Sequence, residues 1–188
     1  MPARRESRVI LRHLGPGDQD EFIAAMRASR RLHGRWLSPP TTPEGFGEWL
    51  RRAREEAFES LLPCRRDDGA IVGYFNISQI IRGYLQSAFL GYGAVAAHAG
   101  RGYMTEGLEL VLEHAFTRLN LHRLEANIQP GNEPSIALVR RCGFVKEGFS
   151  ERYLKINGRW RDHERWAIRS EQWRARRRRT RSQLADVH

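Results

Sequence analysis

The residues whose spacing most clearly suggests chemistry form the segment Gly100-Arg101-Gly102-Tyr103-Met104. It precedes an apolar pattern of helical period, so we predict that it opens a helix. The first N–H groups of a helix lack internal partners, and the helix dipole favours an anion there. Two glycines permit a turn that points these groups at a phosphate, and Arg101 adds a positive charge. Glycine is also common in turns that bind nothing, so the segment alone fits both interpretations.

Two better-defined phosphate motifs do not match this segment. A dinucleotide-binding fingerprint would need a third glycine where Thr105 stands, together with a parallel crossover unit. A P-loop would need Gly-Lys followed by Ser or Thr. Neighbouring residues must therefore identify the ligand.

Further strings lie downstream of the glycine segment. Asn132-Glu133-Pro134-Ser135 is followed by Gly143-Phe144, and YLKINGRWRDH occupies residues 153–163. Together they make the chain similar to the GCN5-related N-acetyltransferases (GNATs), in which a strand, an R/Q-x-x-G-x-G/A loop and a helix hold coenzyme A. The 153–163 string resembles more narrowly the ribosomal-protein-alanine N-acetyltransferases of the RimJ type. The resemblance extends from Arg8 to Ile168 and is strongest from Leu90 onward.

This resemblance implies an activity and a cofactor. Such a protein moves an acetyl group from acetyl-coenzyme A (acetyl-CoA) directly to a primary amine, without a metal ion. The implied acceptor is the N-terminal α-amine of a protein, a ribosomal protein included, while a small amine such as a polyamine or antibiotic is the alternative. Ala97 departs from the family's Arg or Gln at the head of the loop, which a cradle of backbone N–H groups tolerates. The residues expected to hold the cofactor are Tyr92, Val95, Gly100, Arg101, Gly102, Tyr103, Met104, Thr105, Asn127, Asn132, Ser135 and Leu138.

The expected catalytic groups also depart from the family pattern. Val139 stands where many relatives have a tyrosine that protonates the departing thiolate, and Phe89 stands where some have a glutamate base. Ser135 is the expected replacement on the thiolate side, because related ribosomal-protein acetyltransferases use a serine there. Its hydroxyl could instead satisfy backbone groups in the first turn of the helix.

Two glutamates are the candidates for the general base. Glu106 could act through water, or it could simply compensate the helix dipole, and Glu125 shares a strand face with Asn127. Asp162 and His163 are adjacent, so they point to opposite faces of a strand and do not form a mutual catalytic pair. We expect them to contact substrate or to support the fold.

The choice of amine follows from its ionisation. With reference pKa values of about 8 for an α-amine and about 10.4 for lysine, roughly a tenth and under a thousandth are neutral at pH 7. An α-amine therefore needs little help from a base, and a site without an obvious strong base fits an N-terminal acceptor.

The elements that position these residues can be predicted from periodicity and turn signals. The expected order is strand, two helices, three strands, helix, strand, helix and two strands, with hairpin turns at 67–69 and 157–158. The resemblance implies an α+β GNAT fold, with a mixed, mostly antiparallel sheet of six to seven strands flanked by four helices. We expect one acetyltransferase domain over residues 1–168 and a basic tail over residues 169–188.

Composition limits the remaining possibilities. No apolar run is long enough for a membrane span, and the widely separated Cys64 and Cys142 suit a reducing compartment, so we expect a cytoplasmic protein that does not bind membranes. The net charge is +10. Trp173 could stack on a base if the tail contacts RNA or a ribosome, although a solvated tail is the alternative. The clustered tail arginines are Arg174, Arg176, Arg177, Arg178, Arg179 and Arg181.

Overall fold

A computed structural model of the protein describes residues 7–185, which form seven strands and six α-helices. Their order is the predicted one, with two additional helices. The strands are β1 (Val9–His13), β2 (Phe58–Arg65), β3 (Gly73–Ile81), β4 (Ser87–Ala94), β5 (Arg123–Ile128), β6 (Val145–Ile156) and β7 (Arg159–Arg169). The helices are α1 (Gln19–Ala28), α2 (Arg30–His33), α3 (Pro43–Arg52), α4 (Tyr103–Thr117), α5 (Glu133–Arg141) and α6 (Ser170–Ala185).

All seven strands join one sheet in the order β1-β2-β3-β4-β5-β7-β6. Each described neighbouring pair is antiparallel except β4 and β5, which are parallel. The predicted α+β fold with a mixed, mostly antiparallel sheet is confirmed. The four predicted helices are α1, α3, α4 and α5, whereas α2 is a single turn and α6 arises from the segment expected to be a tail.

The turns that connect neighbouring strands follow the sequence signals. Asn157 and Gly158 have φ values of +51° and +77°, as the two central residues of a tight hairpin turn require, and they join β6 to β7. Gly69 has a φ of +76° in the turn between β2 and β3. Both predicted hairpins are therefore confirmed.

The parallel pair opens in the middle of the sheet. β4 and β5 are paired only from Ser87 and Arg123 to Phe89 and Glu125. Beyond that point β4 continues along β3, and β5 continues along β7 as far as Ile128. The two strands therefore part, and the sheet has a gap between Leu90 and the end of β5.

Helices cover both faces of the sheet. On one face, buried residues of α4 and α5 pack with those of β4 and β5 that share a face with Leu90. On the other face, α1 and α3 place Phe22 and Trp49 against Tyr74 of β3. After the cofactor and the acceptor amine that the resemblance implies, we call these the cofactor face and the acceptor face.

Helix α6 packs against α4. Trp173 is 4% exposed, and its ring lies 5.6 Å from that of Phe116. Arg176 and Arg177 form ion pairs with acidic residues of α4. The suggestion that Trp173 stacks on a nucleic-acid base is wrong, because the ring is part of the protein core.

Some expectations about the chain's ends stay predictions. The division at residue 168 is one of them, and residues 1–6 and 186–188 and the side chain of Arg181 lie outside the described part. Cys64 and Cys142 are buried and form no disulfide. Between residues 7 and 185, no helix has the length and hydrophobicity needed to cross a membrane.

Candidate active site

A cleft of about 210 Å³ occupies the gap between β4 and β5. Leu90, Tyr92 and Ile128 reach it from the cofactor face, together with the start of α5. Alternation along the strands places the remaining lining residues of β3, β4, β5 and β7 on the acceptor face. The cleft thus passes through the sheet. Its lining residues are Trp36, Leu37, Tyr74, Asn76, Leu90, Gly91, Tyr92, Asn127, Ile128, Gln129, Asn132, Ser135, Leu154, Ile156 and His163.

Of the three small residues Ala88, Gly91 and Gly93 in β4, only Gly91 leaves the backbone open to a ligand. A Cβ at Gly91 would meet no heavy atom within 4 Å. A Cβ at Gly93 would lie 2.6 Å from Cε1 of Tyr74, and Ala88 is buried in the core. The small size of Ala88 and Gly93 instead serves packing against neighbouring side chains.

The glycine segment forms the predicted turn at the start of α4. Gly100 and Gly102 have φ values of +74° and +85°, a region that favours glycine, and Gly102 is the residue that caps the helix. Its carbonyl accepts hydrogen bonds from the N–H groups of Thr105 and Glu106, at 3.0 and 3.1 Å. The N–H groups of Tyr103 and Met104 precede these first helical bonds, which suits them to an anion.

Arg8 holds this turn in place. Its Nη2 donates to the carbonyl of Arg101 at 2.9 Å, and its Nε donates to Oε1 of Glu106 at 2.7 Å. The guanidinium also lies 4.7 Å from the ring centroid of Tyr103. Burial tends to raise the pKa of Glu106, but the hydrogen bonds from Arg8 outweigh it and hold that pKa below its usual value.

The start of α5 adds polar groups to the cofactor face. Asn132 precedes the helix, and its side chain makes no capping hydrogen bond. The residue lines the cleft instead. The hydroxyl groups of Ser135 and Tyr92 lie 2.6 Å apart in a hydrogen bond. Burial raises the pKa of Tyr92, and the bond to Ser135 opposes this only in part, so Tyr92 stays protonated at neutral pH.

The acceptor face of the cleft combines aromatic and neutral polar groups. Oδ1 of Asn127 is buried and has no hydrogen-bond partner among the described residues. Gln129 donates from Nε2 to the carbonyl of Trp36 at 2.9 Å, which fastens the loop after α2 over the cleft. The same loop is also held to the β6–β7 turn by a hydrogen bond from Ser38 to Asn157. His163 is 2% exposed, and its Nδ1 lies 2.9 Å from the carbonyl of Arg161.

The structure separates the three residues named as catalytic candidates. Ser135 lines the cleft, whereas Glu106 and Glu125 do not. Glu106 is engaged by Arg8, and Glu125 accepts a hydrogen bond from Arg123 at 2.8 Å and faces Arg165 at 3.6 Å. Each glutamate therefore already has a cationic partner away from the cleft.

The expected cofactor residues fall into three groups. Tyr92, Asn127, Asn132 and Ser135 line the cleft. The segment from Gly100 to Thr105 forms the turn and first residues of α4, with Met104 packed against Gly73. Val95 and Leu138 are buried in the core, and the N–H of Val95 is already bonded to Val72.

Several cleft residues were not among the named site residues. Asn76 and Gln129 are polar residues within or beside apolar strands, a signal that could have identified them. Among the aromatic residues, Trp36 lines the cleft, Trp49 lies in the core, Tyr74 does both, and Trp160 is 61% exposed. Leu154 and Ile156 also line the cleft, from the part of β6 that follows the irregularity between Ser150 and Leu154.

Comparison with known proteins identifies relatives of known or probable acetyltransferase activity. A probable N-acetyltransferase of Bacillus subtilis, YjcK, is 46% identical over 101 residues, which are 54% of this chain and 56% of that protein. The ribosomal protein uS5-alanine N-acetyltransferase of Escherichia coli is 36% identical over 107 residues, 57% of this chain and 55% of that protein. The chain thus spans about half the length of these two relatives. The spermidine N(1)-acetyltransferase of Vibrio cholerae is 28% identical over 167 residues, 86% of this chain and 93% of that protein.

A solved structure and a family model agree with these relatives. Mycobacterium smegmatis RimJ, solved in complex with CoA-disulfide, has a TM-score of 0.79 and 30% identity, covering 87% of this chain and 82% of that one. The family model for the acetyltransferase (GNAT) domain matches residues 8–145. This match covers more than half of the sequence, and the chain belongs to the GNAT acetyltransferase family.

Proposed function

We propose that the protein is an acetyl-CoA-dependent N-acetyltransferase whose acceptor is the N-terminal α-amine of a protein, with a ribosomal protein as one such substrate. The observation that carries this proposal is the cleft through the sheet. It has an open strand glycine, Gly91, on one wall and the Ser135–Tyr92 hydroxyl pair on the cofactor face. A thioester lying in this gap would be open to an amine arriving from the acceptor face.

Three features of the chain fit coenzyme A. The turn at Gly100 and Gly102 offers N–H groups at a helix start to the pyrophosphate. The exposed Arg101 adds positive charge next to it. Within the cleft, the orphaned Oδ1 of Asn127 can accept a hydrogen bond from an amide N–H of the pantetheine arm. Acetyl-CoA supplies an activated acetyl group, and the chain's residues bind it and accept or donate protons.

The Ser135–Tyr92 pair is placed to stabilise the departing thiolate. A thiol has a pKa of about 8.5 and an unperturbed phenol one of about 10, so complete proton transfer from Tyr92 to sulfur is uphill by at least about 2 kcal/mol. Burial of Tyr92 increases this difference. We therefore assign the pair a hydrogen-bonding role at the thiolate, with Ser135 as the donor and Tyr92 orienting it.

The charge of the cleft favours an α-amine over a polyamine. No Asp or Glu is among the described residues that line it. A polyamine carries several ammonium groups at pH 7, and binding them without carboxylates would be costly. An N-terminal acceptor brings one ammonium group followed by peptide amides, which neutral polar groups can bind. The relative with spermidine acetyltransferase activity makes the polyamine the alternative to be tested.

Competition between acceptors tests the proposal directly. Peptides with varied N-terminal residues, an N-terminally blocked lysine peptide and spermidine are incubated with acetyl-CoA, and the products are identified by mass spectrometry. We expect acetylation at the α-amine, reduced in the Ser135→Ala variant, and little on spermidine. Exclusive modification of lysine or spermidine would refute the proposed acceptor, and failure to bind coenzyme A would refute the enzyme assignment.

Helix α6 carries a separate proposal about a partner. Arg174, Arg178 and Arg179 are exposed, which suits a contact with RNA or the ribosome. Deletion of the whole helix would uncover Phe116 and is a poor test. Replacing the three arginines by alanine should instead lower the salt-dependent affinity for RNA without affecting acetylation of a free peptide. Unchanged RNA affinity would leave α6 with a packing role.

A further inference from the structure

His163 occupies an unusual position within the acceptor face. It lies on β7 two residues before Arg165, which pairs with Asn127, so His163 and Asn127 point to the same face of the sheet. Both line the cleft. The ring is edge-on to that of Tyr153, with centroids 6.1 Å apart, which fixes its plane.

The hydrogen bond of the ring determines which nitrogen can act as a base. A carbonyl oxygen can only accept, so Nδ1 must carry the proton that it donates to Arg161 at 2.9 Å. In the neutral ring the lone pair is then on Nε2. Among the described residues Nε2 has no hydrogen-bond partner. The Nδ1 atoms of His33 and His98 also lack a partner, but they are buried, whereas Nε2 of His163 is not.

We propose that His163 is the general base of the acetyl transfer and accepts the proton of the acceptor ammonium at Nε2. This inference rests on the proposed function and names a residue for a step that the function requires. The freed amine lone pair forms the C–N bond to the thioester carbonyl carbon. The C–S bond then breaks with its electron pair on sulfur, which Ser135 stabilises. The attacking nitrogen loses its second proton to become the neutral amide, that proton neutralises the thiolate, and the proton on His163 passes to solvent.

The other candidates are less well placed for this step. Glu106 is bound by Arg8 at the first turn of α4, and its pKa is held below the ordinary value of 4.5. Glu125 lies between Arg123 and Arg165. Neither lines the cleft, whereas His163 does.

The surroundings of His163 keep the ring neutral near pH 7. Burial lowers its pKa from the ordinary 6.5, and the Arg161 carbonyl and the charge of Asp162 oppose this only in part. Besides Asp162, the described titratable side chains that contact the ring or share the cleft wall are phenols: Tyr153 lies beside it on β6, and Tyr74 and Tyr92 line the cleft. Arg161 lies two positions before His163 in β7, so its side chain is on the same face of the sheet. The acid limb of the kcat profile should therefore lie below pH 6.5 if His163 is the base, and below pH 4.5 if Glu106 is the base.

The pH dependence of turnover at saturating substrates tests the assignment. The wild-type chain is assayed with a peptide that has an N-terminal alanine and with one whose terminal amine is more basic, from pH 5 to 9. We expect the acid limb of kcat to stay below pH 6.5 for both acceptors. If the acid limb of kcat shifts with the pKa of the acceptor amine, the proposal is overturned, and this test needs no variant.

A pair of variants distinguishes the loss of a general base from a loss of folding. The amide nitrogen of His163→Asn can replace Nδ1 in the bond to the Arg161 carbonyl, but the variant lacks Nε2. We expect kcat at pH 7 to fall about 100-fold, the loss to shrink above pH 8, and coenzyme A affinity to stay within about twofold. His122→Asn, at an exposed histidine, is the matched control and should keep the wild-type profile. His163→Gln replaces His163→Asn if the latter does not fold.

The outcomes distinguish this inference from the function on which it rests. Absence of transfer to either peptide by the wild-type chain would overturn both. Wild-type transfer combined with an unchanged pH profile in the His163 variant would overturn the role of His163 alone. Equal losses at pH 7 and pH 9 would assign His163 to substrate positioning instead of proton removal.

Discussion

Two glycines in the same strand offer a test of where the acetyl donor lies. Gly91 and Gly93 are both in β4 and point to the acceptor face, but only Gly91 is open. Gly91→Val adds a side chain to the cleft without touching a neighbour within 4 Å of its Cβ. Filling space that a ligand needs costs about 1–3 kcal/mol, and each 1.4 kcal/mol is about tenfold in affinity. We therefore expect coenzyme A to bind about 5- to 150-fold more weakly to this variant.

Gly93→Ala should instead lower the stability of the fold. Its Cβ would lie 2.6 Å from Cε1 and 3.0 Å from Oη of Tyr74, whose ring is held by Trp49 and Phe22. Overpacking of this kind costs about 1–3 kcal/mol of unfolding free energy, or about 2–12 °C in Tm for a chain of this size. Gly91→Val should keep the wild-type Tm, because valine suits a strand.

Calorimetric titration of coenzyme A, combined with thermal melts, measures both quantities for each variant. Wild-type affinity in Gly91→Val would show that the thioester arm does not pass between β4 and β5. A large drop in the Tm of Gly91→Val would make its affinity uninterpretable as a test of space, and Gly91→Ala would then take its place.

Three further substitutions test the loop, the hydroxyl pair and the last helix. Gly102→Val forces a branched residue to a φ of +85° with Arg8 Nη2 3.2 Å from its Cβ, so both coenzyme A affinity and stability should fall, the latter by about 1–2 kcal/mol in urea unfolding. Ser135→Ala should lower kcat about tenfold while coenzyme A titration stays within about twofold, and equal losses in both would indicate a role in binding only. Trp173→Ala should remove about 3–5 kcal/mol of unfolding free energy, because the ring is buried against Phe116, and a stable variant would contradict the packing of α6.

Features set by neighbouring residues could be predicted from the sequence. The glycines before α4, the helical period that follows and the Asn157-Gly158 turn each depend on local conformational preferences, and each was confirmed. Helix α6 was not predicted, because its many arginines give no apolar stripe. Its burial depends mainly on one residue, Trp173, meeting an element far away in the chain.

The chemistry of the site depends on contacts between distant parts of the chain. Glu106 was a candidate base until the structure placed Arg8, 98 residues away, on its carboxylate. Ser135 gains its partner Tyr92 from a strand 43 residues earlier. The place of His163 in the cleft follows from the register of β7 against β5, which a single sequence does not encode in any local pattern.

The faces of the sheet are consistent with the two catalytic roles that we propose in place of the family pattern. Val139 stands where many relatives have a tyrosine that protonates the thiolate, and it is packed in the core of the cofactor face. The Ser135–Tyr92 pair lies on that same face. Phe89, where some relatives have a glutamate base, points to the acceptor face, and so does His163. Each proposed substitute therefore lies on the side of the sheet where its proton would be needed. A base must meet the incoming amine and a donor must meet the departing sulfur, so the two can move between elements but cannot exchange faces.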